Sequence, residues 1–207
     1  MFAKLLARNF RKPTGILGRL VGNLMARGNE HEVRWTVSLL NIQPDQHILE
    51  IGFGPGVAIE YASQKAVHGL VAGIDFAETM VQVARKRNAP AIKAGRVDLR
   101  HGEVSAVPYA NDSFDTAFAI HCIYFWPKPI EGLTEIRRVL RPGGLLAVTI
   151  MPKDKWPPER TPPPDVFTLY GTDEVAQLLS EAGYRDVRVE PYPRPDEFPG
   201  ACVLGSK

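Results

Sequence analysis

From residue 31 onward, short apolar runs alternate with stretches whose apolar positions recur at helical spacing. The runs are rich in Val, Ile and Leu, and a length of about four to eight residues is typical of buried strands. Predicted strands cover residues 47–51, 70–74, 97–101, 113–120, 145–150, 187–190 and 201–204, and predicted helices cover residues 32–41, 57–64, 77–87, 130–140 and 172–182. This alternation predicts an α/β fold, a parallel sheet with helices on both faces.

Proline and glycine divide this pattern. The segment Arg141-Pro142-Gly143-Gly144 is predicted to end the fourth helix sharply, because Pro cannot continue a helix and Gly accepts a left-handed turn. Six prolines fall in residues 152–164, and a second Pro-rich segment covers residues 191–199. Both segments are predicted to be stiff loops.

The composition adds an arm to this picture. The chain has 207 residues, of which 44% are hydrophobic and 23% charged, as in an ordinary globular domain. Its formal net charge is +2, yet residues 1–28 hold six basic residues and no acidic one. We therefore predict a basic amphipathic arm, residues 1–28, and a domain, residues 29–207. Three roles suit such an arm: covering a ligand site, contacting a membrane surface, or binding a partner.

The remaining composition bears on partners and location. The two cysteines, Cys122 and Cys202, each stand inside an apolar run, so neither a disulfide framework nor a zinc cluster is supported. We expect no metal site and a cytoplasmic setting, with peripheral membrane contact through the arm as the alternative. No basic surface interleaved with aromatic residues is found, so no nucleic-acid partner is expected. The oligomeric state is left open.

A glycine loop is the most informative stretch of the sequence. The strand at residues 47–51 runs into glycines at 52, 54 and 56 and then into a helix, which places backbone groups against a ligand. A dinucleotide-binding loop would carry its third glycine where Val57 stands. Pro55 has no N–H to give to a phosphate, and the carboxylate of Glu50 would repel one. The loop therefore disfavours a phosphate ligand and favours a cation.

Two further acids follow the next strands. Asp75 ends the second predicted strand, where an acid can accept both hydroxyls of a ribose. Asp75 could instead only cap the following helix. Glu103 follows the third strand and could accept from an adenine amino group, or be only a solvated turn residue. Together, these positions indicate a nucleoside ligand at the carboxyl edge of the sheet.

The sequence resembles the class I S-adenosylmethionine-dependent methyltransferases, close to the type 11-like branch that acts on small molecules and lipids, such as ubiquinone and phosphatidylethanolamine. The resemblance runs from about residue 31 to the end of the chain and rests on four motifs in order. These are ILEIGFGPG, GID, HGEVSAVPYANDSFDTAFAIHCIYFW and EIRRVLRPGGLLAVTI. It implies a Rossmann-like, doubly wound, seven-stranded sheet whose last strand is antiparallel.

The resemblance also implies a set of site residues. The methionine end of S-adenosylmethionine would lie against Glu50 and the glycine loop, the ribose on Asp75, and the adenine near Phe76, Val104 and Glu103, where the family more often has Asp. The residues implied to bind the cofactor are Glu50, Gly52, Phe53, Gly54, Gly56, Asp75, Phe76, Met80, Glu103, Val104 and His121.

The catalytic candidates are His121 and Tyr124, although a core role suits either residue. A base is needed only if the acceptor loses a proton, and His is the natural choice because it titrates near neutrality. The loops' aromatic residues predict a small hydrophobic or amphipathic acceptor, a small molecule or a lipid: Trp156, Phe167, Tyr170, Tyr192 and Phe198. Two rival functions remain, a non-catalytic S-adenosylmethionine-binding protein and an NAD-dependent oxidoreductase.

Overall fold

A computed structural model describes residues 30–158, 161–164, 166–196 and 198–207. The arm predicted at residues 1–28 lies outside this part of the chain. The strands are β1 (His47–Ile51), β2 (Leu70–Asp75), β3 (Val97–His101), β4 (Phe114–Ile120), β5 (Leu140–Ile150), β6 (Arg185–Pro191) and β7 (Ala201–Ser206). The helices are α1 (Glu30–Leu39), α2 (Val57–Lys65), α3 (Glu78–Arg87), α4 (Ala89–Lys93), α5 (Pro129–Val139) and α6 (Thr172–Glu181). Two 3-10 turns cover Ile123–Phe125 and Lys153–Lys155.

The seven strands form one sheet in the order β3-β2-β1-β4-β5-β7-β6. Strands β1 to β5 pair in parallel, while β7 is antiparallel to both β5 and β6. The predicted seven-stranded, mostly parallel sheet with an antiparallel last strand is therefore confirmed. The chain order reverses between β1 and β4, and ligands of open α/β sheets bind at such a point, outside the carboxyl ends of the strands.

Each face of the sheet has its own apolar core, because alternate residues of a strand point to opposite faces. Leu49 and Ile51 of β1 belong to the core under α5 and α6, which contribute Leu133 and Leu179. Ile48 belongs to the other core, which is covered by residues of α1, α2 and α3. The central strands are thus buried on both sides, as the continuous apolar runs predicted.

Two local differences from the sequence-based expectation have simple causes. Strand β5 begins at Leu140 rather than at residue 145, because Leu140 already pairs with Phe114 before the register jumps to Thr116 and Leu145. The intervening turn, with Gly143 at φ 78°, is a bulge in the strand rather than a loop before it. Helix α4 was not predicted because it contains Pro90, yet a helix tolerates Pro in its first turn.

In the part of the chain that the structure describes, every helix is too short or too polar to cross a bilayer.

Candidate active site

A cavity of about 470 Å³ opens at the carboxyl ends of β1, β2 and β4. It lies at the point where the strand order reverses, where the fold places a ligand. Ten of the eleven residues implied to bind the cofactor line it: Glu50, Gly52, Phe53, Gly54, Asp75, Phe76, Met80, Glu103, Val104 and His121. Residues up to 71 positions apart in sequence are thus brought together at one cavity. A glycine loop that served only as a tight turn, without a ligand, would not require this.

The glycine loop needs glycine for close packing. Gly52 has φ 70°, and a Cβ added to it would lie 2.7 Å from the Cβ of Cys122. Gly56 is the one implied residue that does not line the cavity. A Cβ there would lie 2.7 Å from both Ala84 and Asn88, so this glycine lets α3 approach the loop. Its contribution is to the shape of the loop.

Asp75 connects the loop to the end of β2. One carboxylate oxygen accepts from the N–H of Gly54 and the other from the N–H of Ala77, each at 2.8 Å. Burial raises the pKa of Asp75, and these two backbone donors partly oppose that rise. Each oxygen keeps a second lone pair, so the carboxylate can still accept from a ligand at the cavity wall.

Glu50 is the most unusual polar group of the cavity. Its Oε2 is buried and has no hydrogen-bond partner among the described residues. Burial is the main cause that raises the pKa of Glu50 well above its ordinary value, and repulsion by the nearby Asp75 carboxylate adds to it. Buried polar groups are normally paired, and an orphaned carboxylate oxygen at a cavity wall indicates a ligand with a donor or a positive charge.

The opposite end of the cavity is more open. Glu103 is exposed at the rim, and Val104 and Phe76 are partly buried beside it. The ring Nε2 of His101 lies 3.0 Å from the carbonyl oxygen of Phe76 and holds that turn in place. A flat ring entering here would meet apolar side chains and one carboxylate.

His121 directly follows β4 and lines the cavity. Its backbone has φ 52°, which is uncommon for a residue other than glycine, and its N–H donates to the carbonyl of Thr149 at 3.0 Å. Its Nε2 lies 2.5 Å from Oε2 of Glu32 on α1. The ring of Phe198, from the second Pro-rich loop, meets it edge-on at 5.5 Å between centroids.

Sequence reasoning missed Glu32. The residue is 9% exposed, although it is an acid on a helix near the beginning of the domain. A signal was present, because Glu32 shares the apolar face of α1 with Val33, Thr36 and Val37. An acid on the buried face of an amphipathic helix requires a partner, and here the partner is His121.

Tyr124 stacks on His121 but does not line the cavity. Its hydroxyl accepts from the N–H of Met151 at 2.6 Å and lies 3.2 Å from the carbonyl oxygen of the same residue. Burial raises the pKa of this hydroxyl, so it stays protonated. The placement suits a residue that positions His121, and contact of Tyr124 with reacting atoms stays a prediction.

The loop aromatics stand behind the cavity wall. Trp156 and Phe167 pack on Tyr124, while Tyr192 meets Trp35 of α1 edge-on at 5.2 Å. None of the five loop aromatics is among the residues that line this cavity. The rings of Trp156, Phe167, Tyr192 and Phe198 contact those of Tyr124, Phe125, Trp35, His121 and one another. The aromatic wall comes instead from Phe53, Phe76, Phe125 and Trp126.

Comparison with known proteins agrees with this geometry. A family model described as "Methyltransferase domain" matches residues 49–148, which include the glycine loop, Asp75, Glu103 and His121. The uncharacterized methyltransferase YdaC of Bacillus subtilis is 28% identical over 171 residues, covering 83% of this chain and 89% of that protein. The chain belongs to the class I S-adenosylmethionine-dependent methyltransferases.

Other members of the family are similar over part of their length. An O-methyltransferase of Pyrenophora dematioidea is 31% identical, covering 73% of this chain and 60% of its own. The ubiquinone/menaquinone biosynthesis C-methyltransferase UbiE of Geotalea daltonii is 33% identical, covering 56% of this chain and 49% of its own. The crystal structure of a methyltransferase from Aquifex aeolicus superimposes with a TM-score of 0.73 at 24% identity, covering 86% of this chain and 91% of that one. This likeness supports the fold.

The cavity of this methyltransferase fits S-adenosylmethionine, which it uses as cofactor. The unpartnered Oε2 of Glu50 can accept from the ammonium group at the methionine end. The carboxylate of Asp75, fixed by two backbone donors, can accept from ribose hydroxyls. The arrangement puts negative charge where the ligand is cationic and leaves no cluster of backbone donors for a pyrophosphate, because Pro55 interrupts the loop.

Proposed function

We propose that this methyltransferase transfers a methyl group to a small hydrophobic or amphipathic acceptor by in-line displacement. The observation that carries the proposal is the division of the cavity wall. The carboxylates of Glu50 and Asp75 lie on one side, and the wall continues as Phe125, Trp126 and Pro127. An apolar molecule would fit against this second side and would not need polar partners for most of its surface.

When bound, S-adenosylmethionine supplies a methyl group already activated by a positively charged sulfur atom. The chain therefore needs no residue that becomes covalently attached to the substrate. Its residues have to hold the acceptor in line and keep water out, and good positioning contributes roughly 7 to 11 kcal/mol. Val33 of α1, which precedes β4 in the chain, and Trp126, which follows it, both line the cavity. They supply apolar wall for this purpose.

Mass spectrometry of reaction mixtures tests the proposal. The full chain is incubated with S-adenosylmethionine and a panel of phenol, catechol, aniline, thiophenol, a short-chain quinol and phosphatidylethanolamine vesicles. We expect S-adenosylhomocysteine and one methylated product from a small apolar member of the panel. Cofactor binding without product from any acceptor would contradict the proposal and favour a non-catalytic binding protein.

A second candidate function is methylation of a phospholipid or quinone at a membrane surface. It is favoured by residues 1–28, whose six basic residues and absence of acids suit an anionic lipid surface. We favour the other role for this arm, covering the cofactor site, with a cytoplasmic location. The observation behind this choice is that α1, which directly follows the arm, borders the cavity through Val33.

Truncation separates the two roles of the arm. A chain beginning at Asn29 is expected to lose S-adenosylhomocysteine affinity and activity on a soluble acceptor, because a lid excludes water from the site. Calorimetry and co-sedimentation with phosphatidylglycerol vesicles provide the two readouts. Full cofactor affinity together with loss of vesicle binding would overturn the lid and make a lipid the leading acceptor.

A further inference from the structure

The contact between Glu32 and His121 joins two parts of the chain that are far apart in sequence. Their Nε2···Oε2 distance is 2.5 Å, and their side chains are 11% and 19% exposed, respectively. Glu32 comes from α1, while His121 stands at the end of β4 in the cavity wall. The contact of a buried carboxylate with a cavity-lining imidazole is not an incidental surface contact, because burial makes such a pair costly unless its geometry is good.

The contact decides where the ring proton lies. With Glu32 as a carboxylate, which can only accept, the hydrogen between the two residues belongs to Nε2 of His121. In the neutral ring, this leaves Nδ1 with a free lone pair. Nδ1 lies 3.4 Å from the Tyr124 hydroxyl, which is long for a hydrogen bond. That hydroxyl is already engaged by the backbone of Met151.

We propose that Glu32 is a positioning residue, which holds His121 in the form that can accept a proton at Nδ1 from a hydroxyl-bearing acceptor. The inference rests on the proposed function and narrows its substrate class to an aromatic hydroxyl. Neutral amines and thiolates reach the methyl group without a base, whereas a phenolic hydroxyl has to lose its proton. The aromatic side chains that line the cavity together with His121 suit a flat acceptor: Phe125 and Trp126.

The step balances in atoms and charge. The acceptor O–H bond breaks, its proton goes to Nδ1, and its electron pair forms the bond from oxygen to the methyl carbon. The bond from that carbon to sulfur breaks, and sulfur keeps the pair. His121 is left as an imidazolium opposite the Glu32 carboxylate, which stabilises it until the proton passes to water.

Nitrogen-15 NMR of the full chain with S-adenosylhomocysteine tests this positioning without any acceptor. The His121→Asn variant identifies the His121 signals among those of the five histidines. Asn is chosen because it tolerates the φ of 52° that the backbone has at this position. We expect the Nε2–H tautomer in the wild type and its loss in Glu32→Gln. Glu30→Gln is the matched control, because Glu30 lies on the same helix but contacts Arg34 and Tyr61. An Nδ1–H tautomer, or an unchanged spectrum in Glu32→Gln, would overturn the proposal.

Kinetics on the best acceptor of the panel give the second readout. Phenol or catechol should be preferred to aniline and thiophenol. Glu32→Gln should lower kcat about 10- to 100-fold with little change in the KM for S-adenosylmethionine.

A double variant keeps the proposal testable if Glu32→Gln is less stable. When His121 is already Asn, Glu32→Gln should lower kcat no further, whereas a purely structural Glu32 would lower it in both backgrounds. Preference for aniline with kcat unaffected in Glu32→Gln would contradict the hydroxyl class. Absence of product from every acceptor would instead count against the proposed function, and the tautomer would still report on Glu32.

Discussion

The two halves of the cavity are built in different ways. The half predicted to hold the cofactor consists of contiguous motifs: the glycine loop after β1 and the acid that ends β2. The half next to His121 is assembled from α1, the end of β4 and the second Pro-rich loop, so that Glu32 and His121 are 89 positions apart. The first half depends on local backbone shape, and the second depends on tertiary packing.

This difference predicts how each half fails. Damage to the glycine loop should disturb binding and stability together, because its backbone carries both the turn and the contact with Asp75. Changes at the acceptor half should affect turnover and leave the cofactor in place. The two halves are connected at Gly52, whose neighbour Cys122 directly follows His121.

The largest effect is expected for Gly52→Ala. The left-handed backbone alone costs roughly 1 to 2 kcal/mol for a residue with a Cβ. The added methyl group would also lie 2.7 Å from Cys122, and such overpacking costs about another 1 to 3 kcal/mol. We expect a lower melting temperature and about a hundredfold or greater loss of turnover. Gly143→Ala is the matched control, with φ 78° but open space around it; equal damage in both variants would break the comparison.

For Glu50→Gln we expect a smaller overall effect than for Gly52→Ala, with affinity and stability changing in opposite directions. Affinity for S-adenosylhomocysteine should fall about tenfold or more, because a charge-assisted hydrogen bond contributes roughly 1.5 to 3 kcal/mol. The ligand-free variant should nevertheless melt at a higher temperature than the wild type at pH 7, because it replaces an unpartnered buried carboxylate. Glu181→Gln, exposed at the end of α6, is the control.

The pH dependence of this stabilisation follows from the raised pKa of Glu50. The contribution of that carboxyl to stability is fully present below its ordinary pKa of 4.5 and is lost as the pH rises. The difference in melting temperature between Glu50→Gln and the wild type should therefore be small near pH 4 and grow towards neutrality. A constant difference from pH 4 to pH 8 would show that burial of the charge is not its cause.

The same division explains what the sequence could predict. The fold, the glycine loop and the acid at residue 75 follow from periodicity and from motifs within single segments. Glu32 required knowing which helix packs against the end of β4, and the inward or outward turn of Trp156 and Phe167 required the packing around Tyr124. Gly56 illustrates the limit within a motif, because its spacing marks it as part of the loop but only α3 shows what it contacts.

Calorimetric titration of S-adenosylhomocysteine into Asp75→Ala and His121→Asn tests the division of the cavity most directly. Asp75→Ala should lose tenfold or more in affinity, since it removes the predicted acceptor for the ribose and the observed acceptor for two backbone donors. His121→Asn should bind within about twofold of the wild type while its turnover falls on the order of 10²- to 10⁴-fold. Unchanged affinity in Asp75→Ala, or an equal loss of affinity in both variants, would contradict the division of the cavity.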